Sequence, residues 1–273
     1  NVRPGQDEKW YNQERANAIA RGMLGEFEGN YPRTEEEALS PMTAQSCFKK
    51  EALDLLWENA RDPLETGQNC IHIFQPWRPG YIYGAGIDTS EGVGLHYSSL
   101  SIIGKYGLNS ELVAIIYSNT IATDLFSYES LELCKEYKNP LLFIENNGLG
   151  DGVIKRMLED KYPNLYYTGQ EAGKEGKAGW TSSTSRKRNV FDDLVNDVNN
   201  NTLVTPFKPQ VQEMMEMQWV NGKAEATGRT HGDTVISLML ANQALKSIKS
   251  NIETKITNPR RDWRTYEQQR LRY

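Results

Sequence analysis

The chain has only three cysteines and three histidines among its 273 residues. Cys47, Cys70 and Cys134 lie far apart, with no CxxC pair, which argues against a disulfide framework or a structural zinc site and favours a reducing compartment. The histidines do not cluster either. We therefore expect any bound metal to be held mainly by oxygen ligands, which favours magnesium or manganese over zinc.

Long hydrophobic runs are also missing. No stretch of about eighteen apolar residues exists, so no membrane span is predicted. The N-terminal sequence NVRPGQDEKW lacks the basic start and apolar stretch of a signal peptide. Because it also lacks an initiator Met, we expect a processed chain or an excised piece of a longer protein.

Positive charge is scarce outside the C-terminus. The formal net charge of −5 argues, taken alone, against a nucleic-acid binder, which is usually basic. Residues 246–273 are the exception, with eight Lys or Arg against three Asp or Glu. On composition alone, a tail of this kind is more often a solvated chain end than a contact for a polyanion.

A phosphate-binding GxxxxGK[ST] loop is absent as well. The nearest match, GQEAGK, is followed by Glu175 and lacks a strand and helix around it. We therefore expect no ATP-hydrolysing motor within this chain.

What is present predicts an α/β fold. Five short runs rich in β-branched or aromatic residues predict strands, namely 81–88, 98–104, 111–118, 141–145 and 165–169. Helical periods follow the third, fourth and fifth of them, and a largely apolar helix covers 231–249. If the fourth strand lies beside the first, the mixed sheet has the order 3-2-1-4-5, flanked by helices. Before residue 81 we expect loops and helices near Asp7–Leu24 and Cys47–Ala60, without a strong strand signal.

Three acids mark the ends of core elements in this plan. Asp88 ends the first strand, Glu145 ends the fourth, and Asp233 begins the last helix. Each alone is explained by a turn or by the preference of helix N-termini for anions. An acid that closes a buried apolar run is costly, however, unless it is paired or binds a metal. Together the three acids predict a two-metal site for phosphodiester hydrolysis, with Asp88 on the central strand placed to bridge both ions.

The motifs GIDTSEG, FIENNGLG and HGDTVISLMLAN, in this order, resemble the nuclease domain of the large terminase subunit, the DNA-packaging enzyme of tailed phages. The resemblance covers residues 81 to about 248 and implies an RNase H-like fold. It further implies a Mg²⁺- or Mn²⁺-dependent endonuclease, with two ions at Asp88, Glu145 and Asp233. Two positions depart from the family pattern, because His96 and Gly232 stand where members often have an acid.

The resemblance also implies a domain plan and a setting. Residues 1–80 would form a helical linker after an ATPase domain that lies upstream of this chain, 81–249 the nuclease, and 250–273 a basic tail. The substrate would be double-stranded viral DNA, cut during genome packaging in the cytoplasm of the infected bacterium. The capsid portal and the small terminase subunit would be partners, and no membrane would be involved.

Two further sets of residues are predicted around the acids. The basic run before a helix is expected to contact DNA phosphates: Arg186, Lys187 and Arg188. Three residues next to the acids are expected to make contacts around the metal ligands: Thr89, Asn146 and His231.

Other functions remain open at this point. The chain could be a module that docks a packaging motor to the portal, with dormant nuclease chemistry. It could also be a junction resolvase or transposase of the same fold. GAGID is similar to a phosphate loop of actin-like sugar kinases, although ENNGLGDG matches their second loop poorly.

Overall fold

The computed structural model describes residues 8–20, 27, 31, 46–90, 97–146, 148–169, 175–220, 222–228 and 230–248. Within these ranges lie seven α-helices: α1 (Glu8–Ala20), α2 (Lys50–Glu58), α3 (Thr123–Glu136), α4 (Gly150–Glu159), α5 (Thr184–Asn199), α6 (Lys208–Glu216) and α7 (Asp233–Ser247). The same ranges contain eleven strands: β1 (Glu65–Thr66), β2 (Ile71–Ile73), β3 (Ile82–Asp88), β4 (Ser98–Tyr106), β5 (Asn109–Ser118), β6 (Leu141–Ile144), β7 (Tyr167–Thr168), β8 (Lys177–Ala178), β9 (Leu203–Val204), β10 (Met217–Val220) and β11 (Lys223–Ala226).

The main sheet has the order β1-β2-β5-β4-β3-β6, and β9 pairs with β5 beside this path. Strands β3, β4 and β5 form an antiparallel meander, while β6 is parallel to β3. This confirms the predicted α/β class and the predicted order 3-2-1-4 for the first four strands. A parallel neighbour needs a crossover, and α3 supplies it between β5 and β6.

The predicted fifth strand lies beside the fourth, but it is much reduced. Leu165 forms a single parallel bridge with Leu142, and Tyr167–Thr168 pairs instead with β8 in a separate two-stranded sheet. Two segments share the outer edge of β6. Leu165 pairs with its beginning, and Trp180 donates its backbone N–H to the Ile144 carbonyl at its end, at 2.7 Å. The segment at 165–169 therefore cannot extend along β6.

The sequence before residue 81 gives no strong strand signal, and the structure nevertheless has β1 and β2 there. β2 pairs antiparallel with β5, where Ile71 lies opposite Ile116, and β1 continues the sheet outward. Strands of two and three residues give almost no periodic signal in a sequence. The predicted domain boundary at residue 80 stays a proposal. The main sheet contains strands from before and from after this position in the sequence. Helix α6 and the β10–β11 hairpin also lay outside the predicted elements.

Helix α7 packs on one face of the sheet with unusually close backbone contact. Gly84 and Gly86 of β3 face it, and a Cβ on Gly86 would lie 2.3 Å from both the Ala241 nitrogen and the Ser237 oxygen. The alternate β3 residues point to the other face, where α3 and α4 pack; Tyr83, Ala85 and Ile87 belong to that core. Since Gly86 meets the middle of α7 and Gly84 meets α7 closer to its end, the start of α7 lies at the carboxyl end of β3.

Among the residues that the structure describes, no helix combines the length and the apolar character needed to cross a bilayer.

Candidate active site

The pairing of β3 with β6 brings two of the predicted acids side by side. Ile87 lies opposite Ile144 in the parallel register, so the next residue on each strand is an acid, Asp88 or Glu145. Neighbouring strands are about 4.8 Å apart. Both acids lie on the α7 face of the sheet, since Ile87 and Ile144 point into the opposite core.

The third acid reaches the same edge from α7. Asp233 is the first residue of this helix and is only 8% exposed. Gly232 before it has φ +77°, a conformation that favours glycine, and this turn leads directly into the helix. The backbone N–H of Tyr97 donates to Asp233 Oδ2 at 2.7 Å, which ties the acid to the start of β4. The structure thus brings all three predicted acids to one end of the fold.

A concentration of carboxylates is the main electrostatic feature of this edge. Burial, together with the charges of Asp233, Glu145 and Glu213, raises the pKa of Asp88 to about 8, while Lys187 acts in the opposite direction. A carboxyl whose pKa is raised by burial and by neighbouring carboxylates is typical of functional sites.

The three predicted DNA-binding residues have different surroundings. Lys187 places its Nζ 3.3 Å from Glu145 Oε2, inside the group of acids. Arg186 is exposed and donates to the Thr181 carbonyl at 2.9 Å. Arg188 lies over the Trp219 ring, 4.5 Å from its centroid, and also bonds to the β10–β11 hairpin. The basic run 186–188 is therefore split among three different environments.

A groove of about 490 Å³ opens beside the acids. Its lining includes Glu145, Lys187, Arg188, Lys223 and Trp219. The groove offers three cationic side chains, and the rings of Phe191 and Trp219, close to the buried carboxylate of Glu145. Cationic side chains contact phosphates and carboxylate oxygens bind cations, so the lining combines both chemistries.

The residues predicted around the acids are placed differently. Asn146 donates its side-chain amide to the Ala178 carbonyl and to Thr181 Oγ1, so it fastens the neighbouring segment to β6. Thr89 is half-buried directly after β3, and His231 is exposed two residues before Asp233. His96 and Asn147 lie outside the described residues.

One acid of this region was missed by sequence reasoning. Glu213 on α6 is 1% exposed and accepts hydrogen bonds from Thr234, the residue after Asp233. A signal for it existed, because Glu213 lies among the buried residues Val211 and Met214 of α6. An acid on the apolar face of a helix is rare without a partner.

The residues present fit a hard divalent cation by donor type and by charge. Carboxylate oxygens are the ligands that Mg²⁺ and Mn²⁺ prefer, and the carboxylates of Asp233, Glu145 and Glu213 all act on Asp88 against the opposing charge of Lys187. Within the described ranges, no three His, Cys, Asp or Glu side chains are close enough together to coordinate one metal ion. Lys187 pairs with Glu145 in this state, so the cation and Lys187 would compete for the same oxygen.

The raised pKa of Asp88 predicts how the metal-free protein responds to pH. Between its ordinary value near 3.8 and about 8, the folded protein holds a proton that the unfolded chain has lost. The free energy of unfolding should therefore fall as the pH rises from 5 to 8. Thermal unfolding in EDTA measures this, and Asp88→Asn should reduce the slope and raise stability at pH 8, while Glu213, whose pKa burial helps to raise to about 7, accounts for the remaining slope. A stability that climbs over this range, or an unchanged profile in the variant, would contradict the assignment.

No family model matches this sequence. The structure does have similar solved relatives, and it shares with them the arrangement of the sheet and its helices. The large terminase nuclease from thermophilic phage G20c, solved with bound magnesium, superposes with a TM-score of 0.57 at 18% identity, over 73% of this chain and 97% of that one. The Thermus phage P74-26 large terminase nuclease domain gives 0.54 at 19% identity, over 72% and 93%.

The HK97 bacteriophage large terminase gives a TM-score of 0.50 at 9% identity, over 89% of this chain and 56% of that one. The fold of this chain is therefore that of the large terminase nuclease domains, and the predicted resemblance is confirmed at the level of the fold. At these identities the likeness is one of fold, so the case for the three acids rests on their geometry in this chain.

Proposed function

We propose that the chain is a metal-dependent endonuclease that cuts double-stranded viral DNA during genome packaging. The observation that carries this proposal is the meeting of Asp88, Glu145 and Asp233 at one edge of an RNase H-like sheet. They come from three separate core elements and share a field that raises the pKa of Asp88. The fold is shared with terminase nucleases, which makes DNA the substrate most consistent with the site.

The cofactor would be Mg²⁺ or Mn²⁺, with two ions per site. Asp88, Glu145 and Asp233 are the residues that would hold them. When bound, such ions activate a water molecule and stabilise the leaving oxygen in phosphodiester hydrolysis. The G20c nuclease has been solved with bound magnesium and with bound cobalt, which supports a divalent site in this fold.

DNA would approach along the groove beside the acids. Lys187, Arg188 and Lys223 lie on it and would contact backbone phosphates, with Arg186 further out on the surface. The net charge of −5 offsets this local attraction. We therefore expect weak DNA binding by this chain alone, with a strong dependence on salt.

The wider setting follows from the same proposal. An ATPase domain, the capsid portal and the small terminase subunit would be partners of the nuclease, in the cytoplasm of the infected bacterium. The basic tail, 250–273, lies outside the described residues and would contact DNA or the portal. HK97 large terminase is longer than this chain, which covers 56% of it.

A plasmid assay tests the proposed function. The protein should nick and then linearise supercoiled plasmid with Mg²⁺ or Mn²⁺, and EDTA should stop the reaction. If plasmid stays intact with either metal over a wide range of concentrations, the proposed activity of this chain is wrong. Faster cutting of branched than of linear DNA would favour a junction resolvase instead.

Lys187 should compete with the metal ions for Glu145. Lys187→Met removes an ammonium group 3.3 Å from Glu145 Oε2, so Mn²⁺ should bind about two- to fivefold more tightly, the range expected for a half-exposed ion pair. DNA affinity should fall at the same time. Isothermal titration calorimetry measures the first effect, and Arg186→Met should leave Mn²⁺ affinity unchanged. Weaker Mn²⁺ binding in Lys187→Met would contradict the competition.

A further inference from the structure

The short segment that carries Asp233 is held at both ends by one helix. Glu216 of α6 accepts two hydrogen bonds at Oε2 from Thr230, one from the backbone N–H at 2.8 Å and one from Oγ1 at 2.7 Å. Glu213 does the same for Thr234, at 2.8 Å and 2.5 Å. Glu213 and Glu216 are three residues apart and so lie on one face of α6. They bracket Asp233, because one glutamate binds the residue three positions before it and the other binds the residue directly after it.

The first turn of α7 needs such an acceptor. The N-cap residue is Gly232, which has no side chain to accept from the unpaired N–H groups of the first turn. Glu213 supplies the missing acceptor from a different helix. The Asp233 carboxylate is then left to face the other acids, and its Oδ2 accepts from Tyr97.

A second route links Glu213 to Asp233. Tyr117 donates its hydroxyl to Glu213 Oε1 at 3.4 Å, and its ring stacks on the Tyr97 ring with centroids 4.1 Å apart. Tyr97 in turn donates its backbone N–H to Asp233 Oδ2. Glu213 therefore supports Asp233 through Thr234 on one side and through two stacked tyrosines on the other.

The local packing accommodates both glutamates. Glu213 is 1% exposed, and an ionised carboxyl at that depth is costly unless hydrogen-bonded. Gly228 leaves room for Glu216, because a Cβ there would lie 2.2 Å from its carboxylate. Both Glu213 oxygens already accept hydrogen bonds, which argues against Glu213 as a metal ligand.

We propose that Glu213 and Glu216 are positioning residues that hold Asp233 for metal binding, an inference that rests on the proposed function. Their contribution would reach the metal through Asp233, by way of the segment 230–234 and, for Glu213, also by way of Tyr117 and Tyr97. Outer-shell partners of this kind typically change metal affinity or activity about 10- to 100-fold.

The decisive comparison uses three variants in the full chain. Glu213→Met removes the carboxylate that accepts from Thr234 and replaces it with a side chain of similar size. Glu213→Gln keeps an amide oxygen that can accept from both Thr234 donors, so it should retain the Mn²⁺ affinity that Glu213→Met loses. Val211→Ala, at a fully buried position of the same helix, destabilises the packing without touching Thr234 and serves as the matched control.

Two readouts are needed. Hydrogen exchange at the Thr234 amide, measured without metal, should become at least about tenfold faster in Glu213→Met than in the control. In calorimetry, Glu213→Met should bind Mn²⁺ about 10- to 100-fold more weakly, and Glu213→Gln should stay within about threefold of the original chain. The metal concentration for half-maximal cleavage should shift in parallel.

The outcomes separate the two proposals. If the original chain binds no Mn²⁺, the proposed function fails, while the exchange data still test the hold on Thr234. If it binds Mn²⁺ but Glu213→Met binds equally well, the positioning role is overturned. Equal weakening in Glu213→Gln, or in Val211→Ala, overturns it too, because the effect would then come from charge or from general packing.

Discussion

Asp88→Asn is expected to lower the rate of plasmid cleavage by about 10³-fold or more, the scale of losing one electrostatic contact to a reacting centre. Asp88 ends β3, the strand that pairs with β6 and packs against α7. It therefore lies beside both Glu145 and Asp233. Asparagine keeps the shape but removes the charge that would hold a divalent cation. The variant should also stay folded, since it relieves repulsion among buried carboxylates.

Asp124→Asn is the matched control for this variant. Asp124 is exposed in the first turn of α3, a helix that packs on the opposite face of the sheet. Its cleavage rate should equal that of the original chain. Full activity in a folded Asp88→Asn protein would remove Asp88 from the proposed site, and equal loss in both variants would show that the loss is not specific to Asp88.

Gly86→Ala is expected to destabilise the fold by about 3 kcal/mol or more, the upper end for overpacking a buried site. An added Cβ would lie 2.3 Å from two backbone atoms of α7, which cannot move as a flexible side chain can. Helix α7 would have to lift off β3, and this shift would carry Asp233 away from Asp88. Urea unfolding followed by circular dichroism measures the loss.

Gly152→Ala provides the contrast within the same chain. Gly152 lies exposed in α4, and no atom lies within 4 Å of the position that a Cβ would occupy there. Alanine should therefore be neutral at this position or stabilise by about 0.5–1 kcal/mol through helix propensity. If Gly86→Ala unfolds at the same urea concentration as the original chain, the close contact of α7 with β3 is wrong.

The central part of the fold could be predicted from sequence because its signals are local. The three meander strands are rich in β-branched or aromatic residues, LLFIE begins with a continuous apolar run, and each acid closes or begins one of these elements or the last helix. The crossover rules restricted where the fourth strand could lie, and its expected position beside the first strand placed Asp88 next to Glu145. The close contact of α7 with β3 also had a signal in the sequence, because the two glycines of GAG leave no side chain on the face of β3 toward the helix.

The remaining parts depend on tertiary contacts that have no local signature. β2 has three residues and exists because β5 offers it an edge. Glu213 belongs to a helix that was not predicted, and its partner Thr234 is far away in sequence. The contact of Lys187 with Glu145 likewise depends on how α5 packs, so sequence reasoning grouped Lys187 with its arginine neighbours.

The most direct test of the proposed metal site is anomalous scattering from crystals soaked in Mn²⁺. The proposed function predicts anomalous peaks bounded by the carboxylates of Asp88, Glu145 and Asp233, two at full occupancy, with Lys187 moved away from Glu145. Strong peaks at other carboxylates, with none among these three, would contradict it.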